Sequence, residues 1–81
     1  MKVKTDKKSL KENLVIPKMN LRKARLANEF TIESFADYIG VDRRQYELKE
    51  KGVYPFKDYE MIVLSSVLNK SVQSLFFDKN F

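Results

Sequence analysis

From Met19 onward the chain repeats apolar positions at intervals of three and four, the spacing that gathers side chains on one face of an α-helix. Leu21, Ala24, Arg25 and Asn28 recur in this way without a breaker, so residues 19 to 28 are predicted to form a first short helix with an arginine on its inner face. Thr31 stands where an N-cap belongs, and Ile32, Phe35, Ala36 and Ile39 mark one side of a second helix that stops at Gly40. Asp42 is placed to cap a third helix, which runs to Glu50 and is stopped by Gly52. After Pro55, the residues Met61, Leu64, Ser65 and Leu68 repeat at helical spacing, with Asp58 as the expected cap. Ser71 opens a last short helix with Val72, Leu75 and Phe76 facing in. No stretch alternates for long enough to propose a strand, so the expected fold is all-α, five short helices joined by loops of a few residues.

Residues 1 to 18 differ from this. They mix lysines and polar residues with few large apolar groups and close at Pro17, so a basic, flexible N-terminal arm is expected before a domain spanning 19 to 81. Within the arm, Ser9 and Glu12 have capping-box spacing and could open one helical turn.

The spacing of the small residues changes the picture most. Counting Ile32 as first, the fifth residue is Ala36 and the ninth is Gly40, with Phe35, Ile39 and Val41 supplying bulk on the buried side. Two helices that cross near Ala36 leave room for little more than a methyl, and a tight turn at Gly40 requires a positive φ. This is helix-turn-helix spacing, over about residues 32 to 51.

Composition then removes alternatives. Of the 81 residues, 43% are hydrophobic and only four are Gly or Pro, which suits one compact helical unit and not a disordered chain. Cys and His are both absent, which excludes disulfides, thiolate nucleophiles, Cys/His zinc sites and any histidine base. The acidic residues are dispersed and no Gly-rich phosphate loop is present, so neither an enzyme nor a cofactor is expected. The longest apolar run, Met61–Leu64, falls far short of the ~20 residues that span a bilayer, and the Lys-rich start lacks the apolar stretch of a secretory signal. The expectation is a cytoplasmic protein without a membrane partner. Net charge is +5, unevenly spread: residues 1 to 25 hold nine Lys/Arg against two acids, and residues 26 to 81 hold seven against nine. A basic front end points to a polyanionic partner or serves solubility alone.

The stretches Leu21-Arg22-Lys23-Ala24-Arg25, Thr31-Ile32-Glu33-Ser34-Phe35-Ala36, Ile39-Gly40-Val41-Asp42-Arg43, Glu50-Lys51-Gly52 and Leu68-Asn69-Lys70-Ser71-Val72, with Leu75-Phe76-Phe77, together resemble the XRE family of phage-repressor and Cro-like regulators. The resemblance covers residues 21 to 77. Tyr46 to Gly52, Pro55-Phe56, Glu60 and Phe76-Phe77 look most like short regulators from phages and mobile elements of Gram-positive bacteria. It implies a five-helix, lambda-repressor-like DNA-binding domain, a homodimer, and a transcriptional regulator, most simply a repressor, that reads a palindromic double-stranded operator. By position it puts Arg43 and Arg44 on base edges, with Leu48 one turn on and Gln45 and Glu47 as secondary readers. Thr31, Ile32 and Lys51 fall where the family touches phosphate. Arg25 and Glu50 match a partly buried structural ion pair. Leu75, Phe77 and Phe81 are assigned to a two-fold interface, the alternative being that they pack back on their own domain.

Three residues depart from the family pattern. Ile32 replaces a glutamine that contacts phosphate in many relatives, and Glu29 replaces a glycine that often ends the first helix. Lys49 occupies a position often apolar, where its stem is expected along the core edge with the ammonium in water. Restriction-modification controllers and antitoxins share the fold and remain alternatives, as does an antirepressor-like module that binds another protein and not DNA.

Overall fold

Side-chain acceptors start the helices in the middle of the chain. The Thr31 hydroxyl accepts the Ser34 N–H at 3.0 Å and the Asp42 carboxylate accepts the Gln45 N–H at 2.7 Å, each satisfying a donor that the first helical turn leaves unpaired. The computed structural model describes residues 16–79, so the Ser9–Glu12 turn, most of the predicted arm and Phe81 lie outside the described residues. Within it the chain forms α1 (Met19–Ala27), α2 (Ile32–Ile39), α3 (Arg43–Glu50) and α4 (Asp58–Leu68), followed by a π-helical turn at Gln73–Phe77. Among the described residues there is no strand, and this part of the chain is all-helical.

The cap of α4 differs from expectation. Lys57 is the N-cap and Asp58 the first helical residue, because the carboxylate of Glu60 turns back to accept the Lys57 N–H at 2.8 Å. Gly40 takes φ +73° at the end of α2, as the turn requires. Glu29 adopts φ +60°, the left-handed conformation a glycine would take more easily, while Asn28 donates its side-chain amide to the Ala24 carbonyl at 2.7 Å.

Hydrophobic burial is concentrated where α2 packs on α3 and α4 and where the terminal turn packs on α1. Leu21, Phe35, Tyr46, Leu64, Leu75 and Phe76 are almost wholly removed from water. A train of aromatic contacts runs through this core. Phe30 meets Phe35 at 5.1 Å between centroids, Phe35 meets Tyr46 edge-on at 5.9 Å, Tyr46 meets Phe56 at 6.0 Å and Phe56 meets Phe76 at 5.1 Å.

Three further expectations are corrected. Leu75 is 1% exposed, so it belongs to the core and has no surface to offer a second copy. The π-helical turn explains why Phe77 behaves differently: the Asp78 N–H reaches the Gln73 carbonyl five residues back, which keeps Leu75 and Phe76 inside and leaves Phe77 half exposed. The end of the stretch read as an arm is packed on the domain. Lys18 is buried and its N–H donates to the Glu50 carbonyl at 2.9 Å, while Ile16 and Pro17 lie so close to Gly52 that a Cβ there would sit 2.5 Å from the Ile16 carbonyl carbon. Finally, the Lys49 ammonium does not reach water. It donates to the Glu60 carboxylate at 2.8 Å and to the Pro55 carbonyl at 3.1 Å, forming a second buried ion pair.

Candidate nucleic-acid interface

The crossing of α2 and α3 depends on Ala36, 2% exposed, and on the left-handed Gly40 that follows. α3 in turn buries Tyr46, Lys49 and Glu50, positions three and four apart. That inner face fixes what the helix shows outside. At about 100° per residue, Arg44, Leu48 and Lys51 fall on the opposite side, spaced by four and three. Arg44 and Lys51 are exposed and Leu48 is half-buried. Among the described residues Arg44 makes no ion pair or side-chain hydrogen bond, so its guanidinium fork is open to an incoming acceptor.

Arg43 is exposed but engaged. Its Nη1 donates to the Glu33 carboxylate on α2 at 2.6 Å, and its Nε lies 3.6 Å from the Glu47 carboxylate one turn along α3. The two arginines therefore point in different directions, Arg43 toward α2 and Arg44 outward. Gln45 is exposed beside a cleft whose walls include Tyr54, Lys57 and Tyr59.

The residues expected on phosphate separate into two groups. Ile32 and Lys51 line one shallow cleft together with Arg22 and Glu47. Ile32 is half-buried against the core and offers only its backbone, whereas Lys51 and Arg22 supply charge. Thr31 is exposed, with its hydroxyl occupied as the cap of α2. Sequence reasoning did not single out Arg22. The available signal was its place in the basic run Arg22-Lys23-Ala24-Arg25, off the apolar face of α1.

Behind this surface lies the brace that sets the angle of α3. Arg25 donates through Nε and Nη2 to the two carboxylate oxygens of Glu50, both at 2.9 Å, and through Nη1 to the Phe30 carbonyl at 3.1 Å. Tyr46 adds a third donor to Glu50, its hydroxyl lying 2.6 Å from Oε2. The hydrogen bonds to Glu50 raise the Arg25 pKa further above its already high ordinary value. Burial, then the adjacent Glu50 charge, drives the Tyr46 pKa well above the usual phenol range, so the hydroxyl stays a donor. Four groups from α1, α3 and the loop after α1 are thus tied at one point, and the outer face of α3 is held rigid.

Elsewhere, Phe77 presents half its surface at the far end of the chain from the α3 face in sequence. No helix among the described residues is long and apolar enough to cross a membrane. Comparison with family models, with curated proteins and with solved structures finds no match to this chain.

Proposed function

We propose that this chain is a sequence-specific, double-stranded-DNA-binding transcriptional regulator with a lambda-repressor-like fold, acting as a repressor by occupying promoter DNA. One observation carries the reading: α3 turns an open arginine, Arg44, outward with Leu48 and Lys51 in line, on a helix whose inner side is pinned by Arg25, Glu50 and Tyr46. A rigid helix with a cationic outer ridge suits the width of the major groove, where an arginine pairs bidentately with guanine O6 and N7 and an aliphatic side chain meets a thymine methyl. Lys51 and Arg22, which line one cleft with Ile32 and Glu47, supply positive charge beside the ridge, as contact with phosphate needs.

Dimerisation through Phe77 places two reading helices on half-sites about 34 Å apart and makes the operator palindromic. Phe77 is 51% exposed, so its ring has the free surface that such a contact requires, as do other large apolar side chains such as Tyr59 and Ile62. Recovery of bound fragments from random duplex DNA tests the reading. A palindrome with guanine at the position read by Arg44 is expected. Failure of any sequence to enrich would instead favour the protein-binding alternative.

A further inference from the structure

α4 is uncharged on its outside as well as apolar within. Its inner face buries Glu60, Leu64 and Leu68. At about 100° per residue, Tyr59, Ile62, Ser66 and Asn69 fall together on the opposite side, within an arc of about 80°. All four are exposed, and Ile62, at 62%, is the most exposed large apolar side chain among the described residues. From Met61 to Asn69 no residue carries a charge, in a chain of which 33% is charged. A surface helix ordinarily turns charged residues outward, so a face of this kind is suited to being covered by another surface.

We infer that the outer face of α4 is a contact between two copies of this chain, packed antiparallel about a two-fold axis. Charge singles out a second copy as the occupant. A two-fold contact lays a surface against itself, so a charge near the axis meets its own sign; this face has none, and two copies of a chain of net charge +5 can approach there. The face also fits itself. With the axis level with position 64, Ile62 of one copy lies opposite Ser66 of the other, and Tyr59 lies opposite Asn69, so each large side chain meets a smaller one. Ser65, beside the axis, donates its hydroxyl to the Ile62 carbonyl at 3.0 Å and keeps that bond when water leaves. Charges lie only at the ends. Exposed Asp58, at the start of α4, comes beside the end of the other helix, where exposed Lys70 follows, and the two helix dipoles run in opposite directions. An end pair of this kind sets direction more than strength.

The 11 residues of α4 make a helix only about 16 Å long, so the contact takes up less than the ~800 Å² per partner of a standard interface and is weak, with a Kd on the order of 100 µM. Phe77 belongs to the terminal turn, which packs on α1, whereas α4 packs on α2, so the two proposed contacts use different elements. The α4 contact needs no DNA, and its failure would leave the duplex reading untouched.

Sedimentation velocity of the full chain without DNA, from about 10 µM to about 1 mM, tests the inference. Wild type, Ile62→Glu, Ser66→Lys and an equimolar mixture of those two variants are each measured with Phe77 intact and with Phe77→Glu, so that the two contacts are read separately. With Phe77→Glu alone, the average mass should still rise with concentration. Ile62→Glu and Ser66→Lys should each weaken that association by roughly 10-fold or more, since like charges then meet near the axis. Mixing them should recover part of it, because the introduced carboxylate and ammonium face each other across the axis. Both sites are exposed, so each single variant should melt within about 2 °C of wild type. A chain that stays monomeric throughout once Phe77 is changed, as expected if a different protein covers α4, would overturn the inference. So would association that neither Ile62→Glu nor Ser66→Lys weakens, and a mixture that associates no better than its components would overturn the antiparallel pairing.

Discussion

Glu50 accepts from Arg25 twice and from Tyr46 once, while only 8% of its surface meets water. Removing such a carboxylate leaves a guanidinium stranded in a dry site, which costs about 3–5 kcal/mol, whereas the exposed pairs made by Arg43 are worth about 0–1 kcal/mol. Glu50→Ala should therefore lower the melting temperature far more than Arg43→Ala, by some tens of degrees against a few, as read by circular dichroism. Equal shifts would mean the buried pair carries no weight. Tyr46 gives a pH signature at the same point. Because its folded pKa lies above the unfolded value near 10, its contribution is fully present below pH 10. Above that, the unfolded chain ionises and the folded one does not, so stability falls by about 1.4 kcal/mol per pH unit. Urea titrations between pH 9 and 11 should show Tyr46→Phe losing this part of the decline, although it starts less stable by about 1–2 kcal/mol for the missing hydrogen bond.

Among the elements, the helix boundaries set by local chemistry were legible in the sequence. Thr31, Gly40 and Asp42 act on groups within four residues of themselves, and the structure places each in the expected role. Tertiary partners were not. Lys49 and Glu60 lie eleven residues apart and meet only because the loop after α3 brings the first turn of α4 beside Lys49, so a lysine on an otherwise apolar position looked like one reaching for water. Glu60 also displaces Asp58 as the group that caps α4. The engagement of Arg43 with Glu33, ten residues away across the turn, was hidden for the same reason, and it leaves Arg44 as the open arginine of the pair. At Glu29 the sequence raised the right question, since the position does take the left-handed conformation. Glu29→Gly should relieve that backbone and raise stability by about 0.5–1 kcal/mol in chemical denaturation. A loss of stability would show that the glutamate side chain outweighs its own strain.

On the scale of the whole molecule, charge and packing divide the chain differently from the composition alone. The basic first quarter is not all appendage, because Lys18 is buried against the end of α3 and Gly52 admits Ile16 and Pro17 at distances that a side chain would forbid. Deleting residues 2–18 would therefore remove part of the fold together with the lysines. Deleting 2–15 leaves that packing in place, and under the proposed function it should weaken duplex binding and flatten its salt dependence by about one unit for each phosphate that the shortened chain no longer neutralises. An unchanged slope in filter-binding or fluorescence titrations would show those lysines to be idle.

If the outer face of α3 reads DNA, Arg44→Ala should lose binding without losing stability. Tm of this variant should stay close to that of the wild type, since the side chain is exposed and makes no ion pair or hydrogen bond among the described residues. Its affinity for the selected duplex should drop by about 10- to 100-fold, with discrimination abolished at one guanine in each half-site. Wild-type affinity and an unaltered base preference in Arg44→Ala would mean that the outer face of α3 does not read DNA.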